Sequence, residues 1–401
     1  MESVRRKIKH FLLGDGNSRV VYVRENFKKL RVLGIYRTVS QAPVSRRLCY
    51  YAPDVFFVLQ IATIVWDLAG VLDDIGLFGD NMCILTGLVL TLSKKWHFVV
   101  NIEPLDECVA QFQVYFERYS ARGERFVECI QRQKFQEVLL LFCSRTLALM
   151  LGGTLILHAL LSNGETLILR ARYPFSTATP LGYGCVFLCQ ALLVAYVLFS
   201  VVLLDSVGSQ MFSQMSLLLQ MHRMEFEAIG EGLPLPPAGP LCDDPAIRAQ
   251  VHRLIANHQQ LLRFGDRLKR LYEPNLMAQF VCSMLIICLT AFELMFSKGD
   301  LMQMCRFGAY MVTGFFQIFV WSFFGNRITA TSTSIHDATS ACNWIVLDDR
   351  LKKDLRFTMM RAQKPLVVDV YWLFPLTYET FIAVILSRSY SMFTLLRTMI
   401  E

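Results

Sequence analysis

Apolar residues in this chain gather into runs long enough to cross a bilayer, and the runs recur along almost its whole length. A membrane-spanning helix needs about 20 mostly apolar residues. Leu181 to Leu204 and Phe307 to Gly325 meet that without a charge. Val138 to Leu161 is interrupted by Arg145, and Leu276 to Phe296 by Glu293. Leu366 to Leu396 is long enough but carries Asp369, Glu379 and Arg388. Two weaker runs come first: Leu48 to Gly70, with Asp54 and Asp67 near its ends, and Asn81 to Ile102, broken by Lys94-Lys95. The pattern predicts an all-α membrane protein with seven transmembrane helices.

The polar segments orient these spans. Residues 1–50 hold twelve basic side chains against three acidic ones, and segments 103–137, 206–275 and 326–365 add five, seven and seven. The alternate loops, 71–80, 162–180 and 297–304, carry none, two and one. Cytoplasmic loops hold the Lys/Arg excess, so the N-terminus is expected inside and the C-terminus outside. In 103–137 the residues Phe112, Tyr115, Phe116, Tyr119 and Phe126 recur at helical spacing, so helices are expected to continue below the bilayer. Gly230 to Pro240 reads as a loop, and Ile247 to Leu271 as a long inner helix leading into span 5. The chain is partitioned accordingly as one seven-span unit over 1–401. Residues 1–47 form a cytoplasmic segment, 48–205 spans 1 to 4, 206–275 the cytoplasmic loop and inner helix, and 276–401 spans 5 to 7.

Composition agrees: 54% of residues are hydrophobic and 18% charged, with a mean hydropathy of +0.40, where soluble domains have about 25% charged residues. Orientation explains the net charge of +7, so no nucleic-acid partner is invoked. No cleavable signal peptide is read at the N-terminus. The 12 cysteines lie mostly in or beside apolar runs and read as buried thiols rather than a disulfide framework. Nothing resembles HExxH, GxSxG, GxGxxG or a phosphate-binding loop, so no enzyme, metal or cofactor is expected. Glu117-Arg118-Tyr119 resembles the inner motif of G-protein-coupled receptors, but it follows span 2 rather than span 3, and the orientation is inverted. Of the charges within spans, Arg145 and Asp369 are read as lying near inner ends, and Glu379 as lying well inside span 7.

The last third carries a resemblance. His258-Gln259-Gln260-Leu261-Leu262 is followed by Gln317-Ile318-Phe319, Gly325, Ser332 and Asn343-Trp344. Arg361-Ala362-Gln363-Lys364-Pro365 then leads to Ser389-Tyr390-Ser391-Met392-Phe393-Thr394-Leu395-Leu396. In this order the segments resemble the insect odorant receptors: HQxLL before span 5, RxQxP before span 7 and a closing SYSxFxLL. The gustatory receptors' TYxxxxxQF is not met, since Thr377-Tyr378 runs into Glu379, Thr380 and Phe381. The co-receptor's long inner insertion and VQLK-like ending are not seen, which resembles a ligand-tuning subunit.

The resemblance implies an odorant-gated, non-selective cation channel in the plasma membrane, in olfactory neuron dendrites. Its implied partners are a small volatile odorant, the bilayer and a co-receptor in a hetero-oligomer, with span 7 lining the pore. Tyr390, Thr394 and Arg397 share one helical face and are the candidate pore residues. The ligand site is expected within one subunit, between the outer halves of spans 2, 3, 4 and 6. The candidates are Leu88 and Thr91; Met150, Gly153, Thr154, Leu157 and His158; Tyr183 and Phe187; and Tyr310 and Thr313. A metabotropic seven-span receptor and a secondary transporter stand as alternatives.

Overall fold

The computed structural model describes residues 27–35, 44–162, 166–177, 179–231, 245–297, 300–387, 391 and 394. Helices dominate: α1 (Val44–Gly70), α2 (Ile75–Val100), α3 (Ile102–Ser120), α4 (Glu124–Leu161), α5 (Pro180–Glu227), α6 (Pro245–Phe296), α7 (Leu301–Ala341) and α8 (Asp349–Ala362). A two-stranded hairpin follows, β1 (Asp369–Val370) against β2 (Phe374–Pro375), and then α9 (Tyr378–Thr380), which runs on through a widened turn over Phe381–Leu386.

The starts of these helices are written in the sequence. Asp74, Thr179, Asp300, Asp348 and Thr377 each accept a hydrogen bond from a first-turn N–H of the helix that follows, satisfying donors that would otherwise have no partner. Pro180 opens α5, where its missing N–H costs nothing. Six helices among the described residues, α1, α2 and α4 to α7, are long and apolar enough to cross a membrane.

Length divides the molecule into two layers. At 1.5 Å per residue, the 48 residues of α5 reach about 72 Å and the 52 of α6 about 78 Å. The hydrocarbon is about 30 Å thick, so both helices project far beyond it on the inner side. There they pack with α3, α8, the end of α7 and residues 27–35 around one large core. α5 runs through its middle, buried at every position from Ser206 to Leu219. Gly208 permits this: a Cβ there would lie 2.6 Å from the Trp321 ring of α7. In the same layer His222 and His258 stack face to face, with centroids 5.6 Å apart.

Several expectations for the spans change. Lys94 and Lys95 do not break span 2, because α2 runs unbroken to Val100. Lys94 pairs with Asp205 of α5 at 2.6 Å, and Lys95 meets Asp54 of α1 and the Tyr196 hydroxyl at 2.7 Å. The expected seventh span does not begin at Leu366: Leu366 to Thr377 holds the hairpin, and helix resumes at Tyr378. Asp369 therefore sits in β1 and pairs with Lys269 at 2.7 Å. Glu379 is not deep in a span: it lies exposed in the first turn of α9, where the helix dipole favours an anion. Arg145 is exposed among the outward-facing Phe142, Leu149 and Met150 of α4. From there its long stem can carry the charge to the interface. Most of residues 1–47, the loop over 232–244 and the closing motif beyond Ser387, save 391 and 394, lie outside the described residues.

Candidate functional site

The four helices expected around a ligand, α2, α4, α5 and α7, do enclose a cavity of about 140 Å³. α2 contributes Ile84, Gly87, Leu88 and Thr91, and α4 contributes Leu141, Ser144, Ala148, Leu151 and Leu155. α5 brings Leu193, Val194, Val197 and Val201, while α7 brings Tyr310, Thr313, Gln317, Trp321 and Phe324. Most of this wall is aliphatic or aromatic. Of the wall hydroxyls, those of Thr91, Ser144 and Thr313 each donate to a backbone carbonyl of their own helix, at 2.8, 3.0 and 2.7 Å. Those three donors are spent inside their helices and most of the wall is apolar, so a small molecule entering here gains chiefly by removing apolar surface from water, at about 25 cal/mol per Å².

Four expected ligand residues line this cavity: Leu88, Thr91, Tyr310 and Thr313. Seven do not. Met150, Gly153 and Leu157 lie on the exposed face of α4, with Met150 60% and Leu157 46% exposed. Thr154 donates to the Leu151 carbonyl at 2.9 Å, and His158, half-buried, is not part of the wall. The α4 face that lines the cavity runs through 141, 144, 148, 151 and 155. That is one residue, about 100°, around the helix from the expected face. On α5, Tyr183 and Phe187 stack on each other at 5.9 Å near the outer end, above the lining residues. The Tyr183 hydroxyl donates to the Thr166 carbonyl at 3.1 Å, which closes the outer loop over the bundle.

Sequence reasoning missed the inner half of the cavity. It continues between α4, α5 and α7 past Ser206, Ser209 and Gln210 to Glu137. Glu137 is 3% exposed. Its Oε1 accepts from the Ser213 hydroxyl at 2.6 Å and from Gln214 Nε2 at 2.7 Å. The signal was present: a carboxylate one residue before a long apolar run is conspicuous, and Ser144, Ala148 and Gly152 form a small-residue stripe leading from it.

The cavity also touches the route to span 7. α7 lines it with Gln317, Trp321 and Phe324, and the next face of the same helix packs on α9. Phe319 stacks on Tyr378 at 6.5 Å and meets Phe381 edge-on at 6.2 Å, and Phe323 lies 6.5 Å from Tyr378. A Cβ on Gly325 would lie 2.6 Å from the Leu376 carbonyl oxygen, so α7 and the chain entering span 7 are in backbone contact there. Of the expected pore face, Thr394 is described, donating to the Ser391 carbonyl at 2.8 Å; Tyr390 and Arg397 lie outside the described residues.

The family model for 7tm odorant receptors matches residues 74–387. Odorant receptor 47b of Drosophila melanogaster is 22% identical over 370 residues, which is 89% of this chain and 84% of that protein. Odorant receptor 10 of Aedes albopictus is 32% identical over 148 residues, which is 37% of this chain and 39% of its own length. Among solved structures, the fold is similar to that of the insect olfactory receptor OR5 from Machilis hrabei in complex with eugenol. The TM-score is 0.77 at 15% identity, covering 94% of this chain and 98% of that one.

Proposed function

The chain belongs to the 7tm odorant receptor family, and from that membership we propose that it is an odorant-gated, non-selective cation-channel subunit. It is a multi-pass membrane protein. In this reading it acts at the plasma membrane of the olfactory neuron dendrite, as the ligand-tuning partner of a co-receptor in a hetero-oligomer. The observation that carries the reading is the apolar cavity enclosed by α2, α4, α5 and α7 within one subunit. The ligand is a small volatile molecule held there against Leu88, Thr91, Tyr310 and Thr313.

Opening then requires the ligand to bind the open state better than the closed one. α7 is the element able to convey that difference, because one of its faces meets the ligand and the other meets span 7. Pore lining is assigned to Tyr390, Thr394 and Arg397. An arginine ring would oppose cations, which suits a pore with one or few copies of this chain among co-receptors.

The test is whole-cell current under an odorant panel, in cells expressing this chain with and without an insect odorant co-receptor. Rapid non-selective cation current confined to the mixed cells is expected. Second-messenger signals without current, from a chain present at the surface, would overturn the channel reading.

A further inference from the structure

Among the described residues that line the cavity, all but one belong to a helix. The exception is Leu169, from the connection between α4 and α5, which shares a buried cluster with Leu155 and Leu193. Connections between helices ordinarily run over the surface. This one does not: Ile168 and Leu169 are 1% and 3% exposed. The chain dips into the bundle between α1 and α5. Gln190, which holds it there, lies ten residues below the outer start of α5 at Pro180, about 15 Å.

Irregular backbone at such a depth is tolerated only where its polar groups are paired. One side chain does this for Leu169. Gln190 Nε2 donates to the Leu169 carbonyl at 2.8 Å, and Gln190 Oε1 accepts from the Leu169 N–H at 3.0 Å. Gln190 also donates to the Tyr173 hydroxyl at 2.9 Å, and that hydroxyl donates to Gln60 Oε1 of α1 at 2.9 Å. The Arg172 N–H donates to the Thr63 carbonyl at 3.2 Å, and Arg170 pairs with Asp67 at 2.9 Å. Tied to α1 and α5 on both sides, the strap fixes the height at which Leu169 closes the outer end of the cavity.

We propose that Leu169 is the stop that sets the longest ligand this cavity accepts, and that Gln190 is the positioning residue that holds the stop in place. The proposal rests on the reading of the cavity as the odorant site, and adds the residues that decide ligand length. Below the stop, each further methylene buried against the apolar wall raises affinity about fourfold. Beyond it, a methylene has to push Leu169 into a packed cluster, and overpacking reverses the gain. Affinity along a homologous series therefore climbs and then falls at a defined length.

Methyl esters of unbranched acids, from butanoate to tetradecanoate, are the probes, used on the full chain. Binding is read as thermal stabilisation of the purified receptor in lipid nanodiscs, and currents in co-receptor cells are recorded alongside. Lengths are compared within each variant, so a general loss of stability does not move the cut-off. Leu169→Ala strips the side chain beyond Cβ, and the cut-off should move out by about three carbons. Leu169→Phe should move it inward. Gln190→Leu leaves both polar groups of the Leu169 backbone without their partner, so the strap should loosen and the cut-off should blur while short esters still bind. A merely structural role for Gln190 would weaken all esters alike and leave the cut-off where it was.

Gly87→Leu serves as the cavity control. Gly87 lines the cavity, and a Cβ there meets nothing within 4 Å, so a larger side chain occupies ligand space without a clash. If Gly87→Leu suppresses ester binding while Leu169→Ala leaves the cut-off unchanged, the stop falls and the odorant site stands. If Gly87→Leu changes neither binding nor current, the odorant site itself falls. A wild-type series with no cut-off, or no ester binding by wild type at all, also overturns the proposal.

Discussion

Removing the ammonium of Lys94 while keeping its bulk, as in Lys94→Met, tests how the bundle tolerates charge at membrane depth. Lys94 is 1% exposed and its partner Asp205 16%. Losing one member of a buried pair leaves the other charged and uncompensated, at about 3–5 kcal/mol. Asp205 retains some exposure and lines the cavity, so the cost should fall near the lower bound, about 3 kcal/mol. For a domain of about 250 residues, each kcal/mol lowers the melting temperature by roughly 2 °C, and for a longer chain by less. The expected drop is therefore about 4–6 °C, read on the purified receptor at one fixed scan rate, because unfolding of such proteins is commonly irreversible. The double variant Lys94→Met/Asp205→Leu should recover most of the loss, since apolar replacement of a whole buried pair is often neutral or stabilising. A single variant that melts within a degree of wild type would refute the reasoning. A double variant no better than the single would mean that packing of the lysine stem, not its charge, was lost.

Further expectations concern the site and the inner layer. Leu157→Trp should leave odorant responses intact, because Leu157 faces outward, whereas Ala148→Trp should abolish them at unchanged surface expression; dose-response curves with surface labelling decide between them. Arg397→Gln should alter the rectification or relative permeability of the mixed channel in voltage-ramp recordings, and unchanged values would remove Arg397 from the pore. Burial first, and the nearby Arg361 second, push His258 down to about 4 from its usual 6.5, so the unfolded chain binds the extra proton between those values. Its contribution, about 3 kcal/mol, is fully present above pH 6.5 and lost as pH falls toward 4. His258→Phe should therefore flatten the fall in melting temperature across that window, measured in buffers of matched ionic strength.

Hydropathy determined the number of spans, and loop charge predicted their orientation, because hydrocarbon excludes charge and admits backbone N–H and C=O groups only when they are paired, as within helices. The choice of α2, α4, α5 and α7 as cavity walls was also legible, through the family resemblance carried by residues from His258 onward. What the sequence alone did not determine is rotation about each helix axis. Over Leu147 to Leu157 α4 carries no charge on any side, and lipid is as apolar as a protein interior, so nothing local told the Met150–Leu157 face from the Ala148–Leu155 face. Packing decided it, through contacts such as Leu198 against Gly152. The same holds for Lys94 and Glu137. In sequence they are charges that interrupt or border a span; only the tertiary structure supplied Asp205 to one, and Ser213, Gln214 and an open cavity to the other. The hairpin at Asp369–Pro375 likewise needed Lys269 from α6 to become visible, because a short turn within an apolar stretch has the hydropathy of a span.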